Sequence, residues 1–212
     1  MLSFFYSPGA CSLVSHIALE EAGASFDAVR VAIAEGAHRR PDYLDVNPRG
    51  LVPALAVDGR VFAETIAVLT LIDRLHPSAG LLPSDDPFAL ARTYQLLSFF
   101  ATSVHIVGFK PVFRVRRRDL GPPPDAATQA SDRDVLRGYL KEIEALLAHG
   151  EWLLGDRYSV ADGYPLTFLR WARRQDFDMG EFVHWRAHAD RLLQRPAVLR
   201  ALAREGLDPA EF

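Results

Sequence analysis

The sequence predicts a chain in two parts, an α/β region over residues 1–77 and an all-helical region over residues 87–212. Three observations support this division. Strand-like and helix-like segments alternate through the first part. The segment between the parts, residues 76–87, holds three prolines, one glycine and an acidic pair, which is typical of a linker between domains. The residues after it have apolar positions at helical spacing.

The α/β region begins with a short apolar strand. Pro8 and Gly9 end this strand by turning the chain into a helix, which closes at Gly23. Further along, Asp58 and Gly59 form a two-residue hairpin signal between two strands. The predicted order is βαβ, a short helix and ββα: strand 2–5, helix 12–22, strand 26–33, loop 35–40, helix 41–46, strands 52–57 and 60–63, and a helix from 64 to 75.

The helical region begins with a long segment that is apolar on more than one side, as expected of a helix buried between others. Ser159 and Asp162 form a capping-box pattern, with Asp in place of the usual Glu. We interpret Asp162 as a structural cap rather than a catalytic acid. The predicted helices are 88–118, 128–148, one that begins at 159, 183–195 and 196–205.

The composition argues against several classes of protein. The net charge of -3 does not indicate a nucleic-acid binder, and the basic run over residues 114–118 is interpreted as a solvated helix end. One cysteine in 212 residues allows no intramolecular disulfide, which fits a reducing compartment such as the cytosol. No basic leader and no apolar run of ~18 residues is evident, so we expect neither a signal peptide nor a membrane span.

The single cysteine, Cys11, lies where the first strand turns into the first helix. Backbone N–H groups and the positive end of the helix dipole favour an anion there, so we expect a lowered pKa for this thiol. The hydroxyls of Ser12 and Tyr6 are close in sequence and are candidates to hold a sulfur anion with it. The alternative is a small buried hydrophobe, for which burial would raise the pKa.

Four sequence blocks in this order resemble the glutathione S-transferase superfamily, and the first resembles its bacterial beta class. They are residues 6–13 around Cys11, residues 47–55 with the pattern N-P-x-G-x-V-P-x-L, the pair Glu64-Thr65, and the capping block 159–162. The resemblance spans nearly the whole chain. It implies the glutathione transferase fold, with an α/β thioredoxin-like N-terminal domain that binds glutathione plus an all-α C-terminal domain that contributes the hydrophobic substrate site.

The resemblance also implies where glutathione binds. Leu51, Val52 and Pro53 form the segment that pairs with the extended peptide, through the backbone of Val52 before a proline that is cis in this family. Thr65, at a helix start, is expected to hold the γ-glutamyl carboxylate, and Glu64 to pair with the ammonium group.

For catalysis, the resemblance implies that Cys11 and Ser12 hold the glutathione sulfur, with help from Tyr6. It also implies that His105 reaches the active cleft. The family often has a lysine after this histidine, whereas this chain has Ile106, which removes one positive charge near the thiol.

Together these features predict a cytoplasmic, homodimeric glutathione transferase of the bacterial detoxification type. It is expected to join the glutathione thiolate to small hydrophobic electrophiles, with glutathione as co-substrate and no metal, cofactor, nucleic acid or membrane partner. Two alternatives stay open. One is glutathione-dependent thiol–disulfide exchange through Cys11, for which one cysteine suffices, and the other is a non-catalytic ligand binder on the same fold.

Overall fold

A mixed four-stranded sheet forms the N-terminal part of the computed structural model, which describes residues 1–116 and 121–212. The spatial order is β2-β1-β3-β4. Strand β1 is parallel to β2 and antiparallel to β3, and β4 is antiparallel to β3. The strands are β1 Leu2–Tyr6, β2 Asp27–Arg30, β3 Ala54–Val57 and β4 Arg60–Ala63.

Helices cover the sheet and form most of the rest of the described chain. The α-helices are α1 Ser12–Glu21, α2 Pro41–Leu44, α3 Thr65–Leu75, α4 Pro87–Ser98, α5 Lys110–Phe113, α6 Ala126–Leu147, α7 Gly163–Arg174, α8 Val183–Leu192 and α9 Pro196–Glu205. An 11-residue π-helix, Phe99–Phe109, joins α4 to α5. The sheet with its helices followed by helices alone confirms the predicted fold class.

The sequence of β1 explains why the sheet is covered on both faces. Phe4 is fully buried on one face, where it meets the ring of His16 from α1 at a centroid distance of 5.3 Å. Phe5, one residue further on, contacts Tyr43 of α2 on the opposite face. Because successive side chains of a strand alternate, one apolar strand serves both layers.

Helix α1 is buried along almost its whole length, between the sheet and the C-terminal helices. Its last turn carries two acids that pair with arginines from the end of the chain. Glu20 pairs with Arg200 and Arg204, and Glu21 pairs with Arg195. One hydrophobic cluster runs through both parts of the chain, so the helical region is packed directly onto the α/β region.

Two predicted elements near β2 are wrong in their extent or type. The predicted strand 26–33 is reduced to β2 because its partner β1 ends at Tyr6, and the N–H-less Pro8 follows in the turn. The predicted loop 35–40 overlaps two short 3-10 helices on either side of Gly36, which has a left-handed backbone: Ile33–Glu35 and Ala37–Arg39.

The long helix predicted over 88–118 begins as predicted but changes from α to π and back, and its predicted end lies outside the described residues. By length and composition, the 27-residue stretch Pro87–Phe113 is apolar enough to cross a membrane. A single helix of this kind is weak evidence for a membrane span, and 39% of its most apolar window is buried inside the protein. In the basic run, Arg116 donates to the carbonyl of Arg174, and residues 117–118 are not described.

The capping box predicted at Ser159 is present and closes a buried network. The Ser159 hydroxyl accepts from the Ala161 N–H, and the Asp162 carboxylate accepts from the Ser159 N–H at 2.9 Å. Asp162 also accepts from the Leu153 N–H at 2.9 Å and lies 2.9 Å from His188 Nε2. Asp162 is fully buried, and these contacts support its interpretation as a structural residue.

The Ser159→Ala change should destabilise the fold without altering chemistry. Loss of an N-cap side chain costs about 0.5–2 kcal/mol of unfolding free energy. Urea unfolding of the variant and the parent measures the difference. Ser131→Ala, at an exposed position of α6, is the matched control and should leave the midpoint unchanged. Parent stability combined with much lower turnover would contradict the structural role.

Candidate active site

Gly9 lies in the turn between β1 and α1, and side chains of the helical region bind both its N–H and its carbonyl. Its N–H donates to the Glu205 carboxylate at 2.7 Å, and its carbonyl accepts from the Trp171 indole N–H at 2.7 Å. Gly9 has a φ of +65°, a left-handed conformation that glycine adopts without steric cost. Helices α7 and α9 therefore fix the turn just before Cys11.

The Cys11 thiol faces the segment that precedes β3. Cys11 is the residue before the first residue of α1, and it is half-buried. Its Sγ donates to the Val52 carbonyl oxygen at 3.4 Å. This contact brings together two sequence blocks that lie 41 residues apart in the chain.

The pKa of Cys11 departs from the expectation based on the helix start. Burial raises the pKa of this thiol to about 12, and the nearby carboxylates of Glu64 and Glu205 add to the rise. The backbone N–H groups of Cys11 and Ser12 lower the pKa, as a helix start should, but burial dominates. The expected lowered pKa is therefore wrong, and Cys11 is a neutral thiol at neutral pH.

The segment Leu51-Val52-Pro53, called the Val52 segment below, is held in place by α2 and by Asn47. The Leu51 carbonyl accepts from the Tyr43 hydroxyl at 2.6 Å and from the Asn47 amide at 2.7 Å. The Val52–Pro53 peptide is cis, as the resemblance implies. Within residues 1–116 and 121–212, no group accepts a hydrogen bond from the Val52 N–H. This N–H is available to an extended peptide laid along the segment.

Glu64 and Thr65 lie at the start of α3, as predicted. Thr65 is the first helical residue and is buried, whereas the Glu64 carboxylate is exposed and pairs with Arg49. Glu64 has a φ of +70°, a strained value for a residue with a side chain, and such strain is common at functional sites. Glu64, which is predicted to bind the ammonium group of glutathione, thus already pairs with the guanidinium of Arg49.

Two hydroxyls expected to hold the glutathione sulfur are buried and engaged elsewhere. The Ser12 hydroxyl accepts from the Ser7 N–H at 3.2 Å and donates to the Ser7 carbonyl at 3.3 Å. The Tyr6 hydroxyl donates to the Arg204 carbonyl at 3.2 Å, and burial raises its pKa. These contacts oppose the roles expected for Ser12 and Tyr6. Both residues are close to Cys11 in sequence, but their hydroxyls are bonded away from the cleft.

His105 lies in the π-helix beside Trp171, and their ring centroids are 4.8 Å apart. The Trp171 indole also binds the Gly9 carbonyl, so the side chain of Trp171 connects His105 to the turn that precedes Cys11. The next two residues, Ile106 and Val107, are 47% and 53% exposed and give the surface around them an apolar character.

A buried carboxylate–imidazole contact lies behind the turn. Oε1 of Glu205 is 2.9 Å from Nδ1 of His16, and both side chains are fully buried, while Oε2 accepts from the Gly9 N–H. Burial raises the pKa of Glu205, and His16, the Gly9 N–H and Arg170 oppose the rise. A buried carboxylate is costly unless it is paired, so these partners hold Glu205 in place.

Comparison with known proteins agrees with this geometry. Residues 9–75 match the model of the glutathione S-transferase N-terminal domain, and residues 96–196 match that of the C-terminal domain. The chain belongs to the glutathione S-transferase family. Glutathione S-transferase GstA of Escherichia coli O157:H7 is 34% identical over 208 residues, which cover 97% of this chain and 100% of that protein.

Solved structures of bacterial glutathione S-transferases share the fold over the same length. The beta class enzyme of Sphingomonas chungbukensis is 36% identical with a TM-score of 0.86, and a sphingomonad glutathione S-transferase complexed with glutathione is 36% identical with a TM-score of 0.85. Each match covers 97% of this chain and 100% of the other. The predicted fold and family are confirmed, and the chain is a glutathione transferase.

The sequence gives no sign of how the helical region of this transferase binds the active-site turn. Gly9 is evident only as a turn residue, and Trp171 has the appearance of a core residue. Glu205 is 196 residues from Gly9 and lies in an ordinary amphipathic helix. A glycine after Pro8 predicts a turn, but its partners depend on the tertiary packing.

Alkylation of Cys11 in the transferase should be slow at neutral pH and accelerate as the pH rises. With a pKa of about 12, the reactive thiolate is a minor species that grows about tenfold per pH unit. Iodoacetamide labelling from pH 6 to pH 10, followed by mass spectrometry, measures the rate, and no other cysteine competes. N-acetylcysteine is the reference thiol and should react faster at pH 7. A rate plateau below pH 8 would show that the helix start governs the thiol.

Proposed function

We propose that the chain binds glutathione in the cleft between the Cys11 turn, the Val52 segment and the start of α3, and joins its thiolate to hydrophobic electrophiles. The observation that carries the proposal is the 3.4 Å contact between the Cys11 thiol and the Val52 carbonyl, beside the unpaired Val52 N–H of the described chain. The proposed peptide-binding edge and the proposed sulfur-binding group are thus adjacent. Glutathione is a peptide that carries a thiol.

The start of α3 is the proposed site of the γ-glutamyl group. The first N–H groups of a helix lack intrahelical partners and favour a carboxylate. The Thr65 hydroxyl is proposed to add a hydrogen bond to that carboxylate. Glu64 is proposed to bind the ammonium group, with its Arg49 partner moving aside or remaining on the second oxygen. Leu51 and Pro53 flank the Val52 main chain that pairs with the peptide.

Cys11 is proposed to act as a hydrogen-bond donor to the glutathione thiolate. Its raised pKa keeps the Cys11 thiol protonated, and when glutathione binds, the single S–H is proposed to turn from the Val52 carbonyl to the glutathione thiolate. A Cys11 thiolate would instead repel the glutathione thiolate. The backbone N–H groups of Cys11 and Ser12 act on the Cys11 sulfur and are placed to reinforce this effect. Cys11 is thus proposed to take the role that the hydroxyls of Ser12 and Tyr6, which are bonded elsewhere, were expected to share.

Thiol–disulfide exchange through Cys11 is disfavoured by the same pKa. Exchange requires the Cys11 thiolate as nucleophile, and that form is scarce at neutral pH.

The electrophile is proposed to bind against the π-helix, where His105 adjoins the exposed apolar residues Ile106 and Val107. This surface suits a small hydrophobic compound, as expected of a cytoplasmic enzyme that removes such electrophiles.

Thr65→Val should weaken glutathione binding about tenfold, because it removes one hydrogen bond to a charged group while keeping the side-chain volume. Isothermal calorimetry with reduced glutathione measures the dissociation constant. Thr70→Val is the matched control on the same helix, where the hydroxyl donates to the Ile66 carbonyl. It should bind glutathione like the parent. Equal affinity of all three proteins would refute the assignment of Thr65, and no binding by the parent would refute the site.

Two assays on the parent distinguish the proposed reaction from its alternatives. Conjugation of a chloronitrobenzene to glutathione reports transferase chemistry, and reduction of a small mixed disulfide reports exchange. The proposal requires conjugation to dominate. Dominant disulfide reduction would favour exchange, and binding without either activity would favour a ligand-binding protein.

We further propose that the chain is a homodimer in which the α/β region of one subunit meets the helical region of the other. Strand β4 is an edge strand and carries Val61 and Phe62, which are 42% and 37% exposed. Phe88, in the first turn of α4, is 87% exposed. Exposed large apolar side chains and an uncovered sheet edge are typical of an interaction surface.

Phe88→Ser should shift the protein towards the monomer, because it removes a large apolar side chain from the proposed interface. Light scattering at micromolar concentration measures the mass of the particle. Val183→Ser is the matched control, since Val183 is also an exposed apolar residue in the first turn of a helix. The control should stay dimeric. A monomeric parent would refute the dimer, and a dimeric Phe88→Ser variant would refute the placement of the interface.

A further inference from the structure

The guanidinium of Arg170 lies against Gly9. Arg170 is on α7, next to Trp171, and is only 8% exposed. Its Nη1 lies 2.1 Å from the point where a Cβ on Gly9 would be, and its Cζ lies 2.7 Å from that point. Gly9 therefore leaves room for the guanidinium, which covers the turn on the side that a side chain would occupy.

Glu211 holds this guanidinium in place. Both Nε and Nη2 of Arg170 lie 2.8 Å from the same carboxylate oxygen of Glu211, so Nη1 is the nitrogen left facing Gly9. Arg174 also contacts this carboxylate at 3.3 Å, but Arg174 is exposed and is not among the groups closest to Gly9. The two arginines thus share one carboxylate, and only one of them reaches the active-site turn.

The position of Arg170 also affects the carboxylate that binds the Gly9 N–H. Arg170 is one of the groups that lower the pKa of Glu205, against the effect of burial. A nearly buried cation is costly unless it is paired, and burial accordingly lowers the pKa of Arg170 while Glu211 and Glu205 oppose that shift. The guanidinium is therefore positioned between a carboxylate that anchors it and a turn that it covers.

We propose that Arg170 is a positioning residue of the transferase, which acts through Gly9 to set the place of the Cys11 thiol, with Glu211 as its anchor. The inference rests on the proposed role of Cys11 at the glutathione sulfur. Arg170 has no role in holding the peptide itself, because that role belongs to the Val52 segment and the start of α3. Loss of Arg170 should therefore affect the chemical step more than the binding of glutathione.

Arg170→Gln tests this assignment. We expect kcat for chloronitrobenzene conjugation to fall about tenfold, since small misplacements of a reacting group have effects of this size or larger. KM for glutathione should stay nearly unchanged. Alkylation of Cys11 by iodoacetamide should become faster, because a loosened turn exposes the half-buried thiol. This last readout needs no glutathione, so it tests the turn even where the proposed glutathione site fails.

Arg174→Gln is the matched control, because it removes the other arginine from Glu211 without touching Gly9. It should keep the parent kcat and alkylation rate. Glu211→Gln weakens the anchor alone and should give an intermediate loss of kcat. Arg170→Lys keeps the positive charge if Arg170→Gln fails to fold, and it should show the same split between kcat and KM. Unchanged kcat in a folded Arg170 variant, or an equal loss in Arg174→Gln, would overturn the proposal.

Discussion

The backbone of Gly9 is bound on both sides by side chains from the helical region, and the position of Cys11 depends on these two hydrogen bonds. The N–H binds a buried carboxylate and the carbonyl binds a buried indole, both at 2.7 Å. A carboxylate such as Glu205 is stable in the interior only when its oxygens are satisfied, and His16 and the Gly9 N–H do this. The turn at Gly9 and the buried contact between Glu205 and His16 therefore support each other.

Burial has opposite consequences at the two sides of this turn. Behind it, burial strengthens the hydrogen bond between Glu205 and His16, because no water competes for it. In front of it, burial works against ionisation of Cys11 and outweighs the backbone N–H groups at the helix start. A thiol that stays neutral is a suitable neighbour for an anionic sulfur. The same low polarity thus stabilises the scaffold and keeps the Cys11 thiol protonated.

Local signals explain most of what the sequence predicts correctly. The hairpin at Asp58-Gly59, the cap at Ser159 and helix α9 each depend on residues a few positions apart, and the structure places them as expected. The contacts of Tyr6 and Ser12 could not be predicted in this way. Both residues are close to Cys11 in sequence, yet the Tyr6 hydroxyl donates to the Arg204 carbonyl of α9 and the Ser12 hydroxyl donates to the Ser7 carbonyl within the turn. The sequence periodicity of residues 88–118 does not predict the π-helix Phe99–Phe109. The hydrogen-bond register of this helix depends on how it packs against neighbouring helices.

The pairing of Gly9 with Glu205 also imposes an order on events during protein synthesis. Hairpins and helices close from neighbouring residues as the chain leaves the ribosome, whereas contacts across 196 residues form only after both partners have emerged. The turn at Gly9 is among the first segments to be translated and among the last to gain all of its partners. A nascent chain that ends before α9 lacks Glu205, so the Gly9 N–H has no carboxylate partner until that helix has been made.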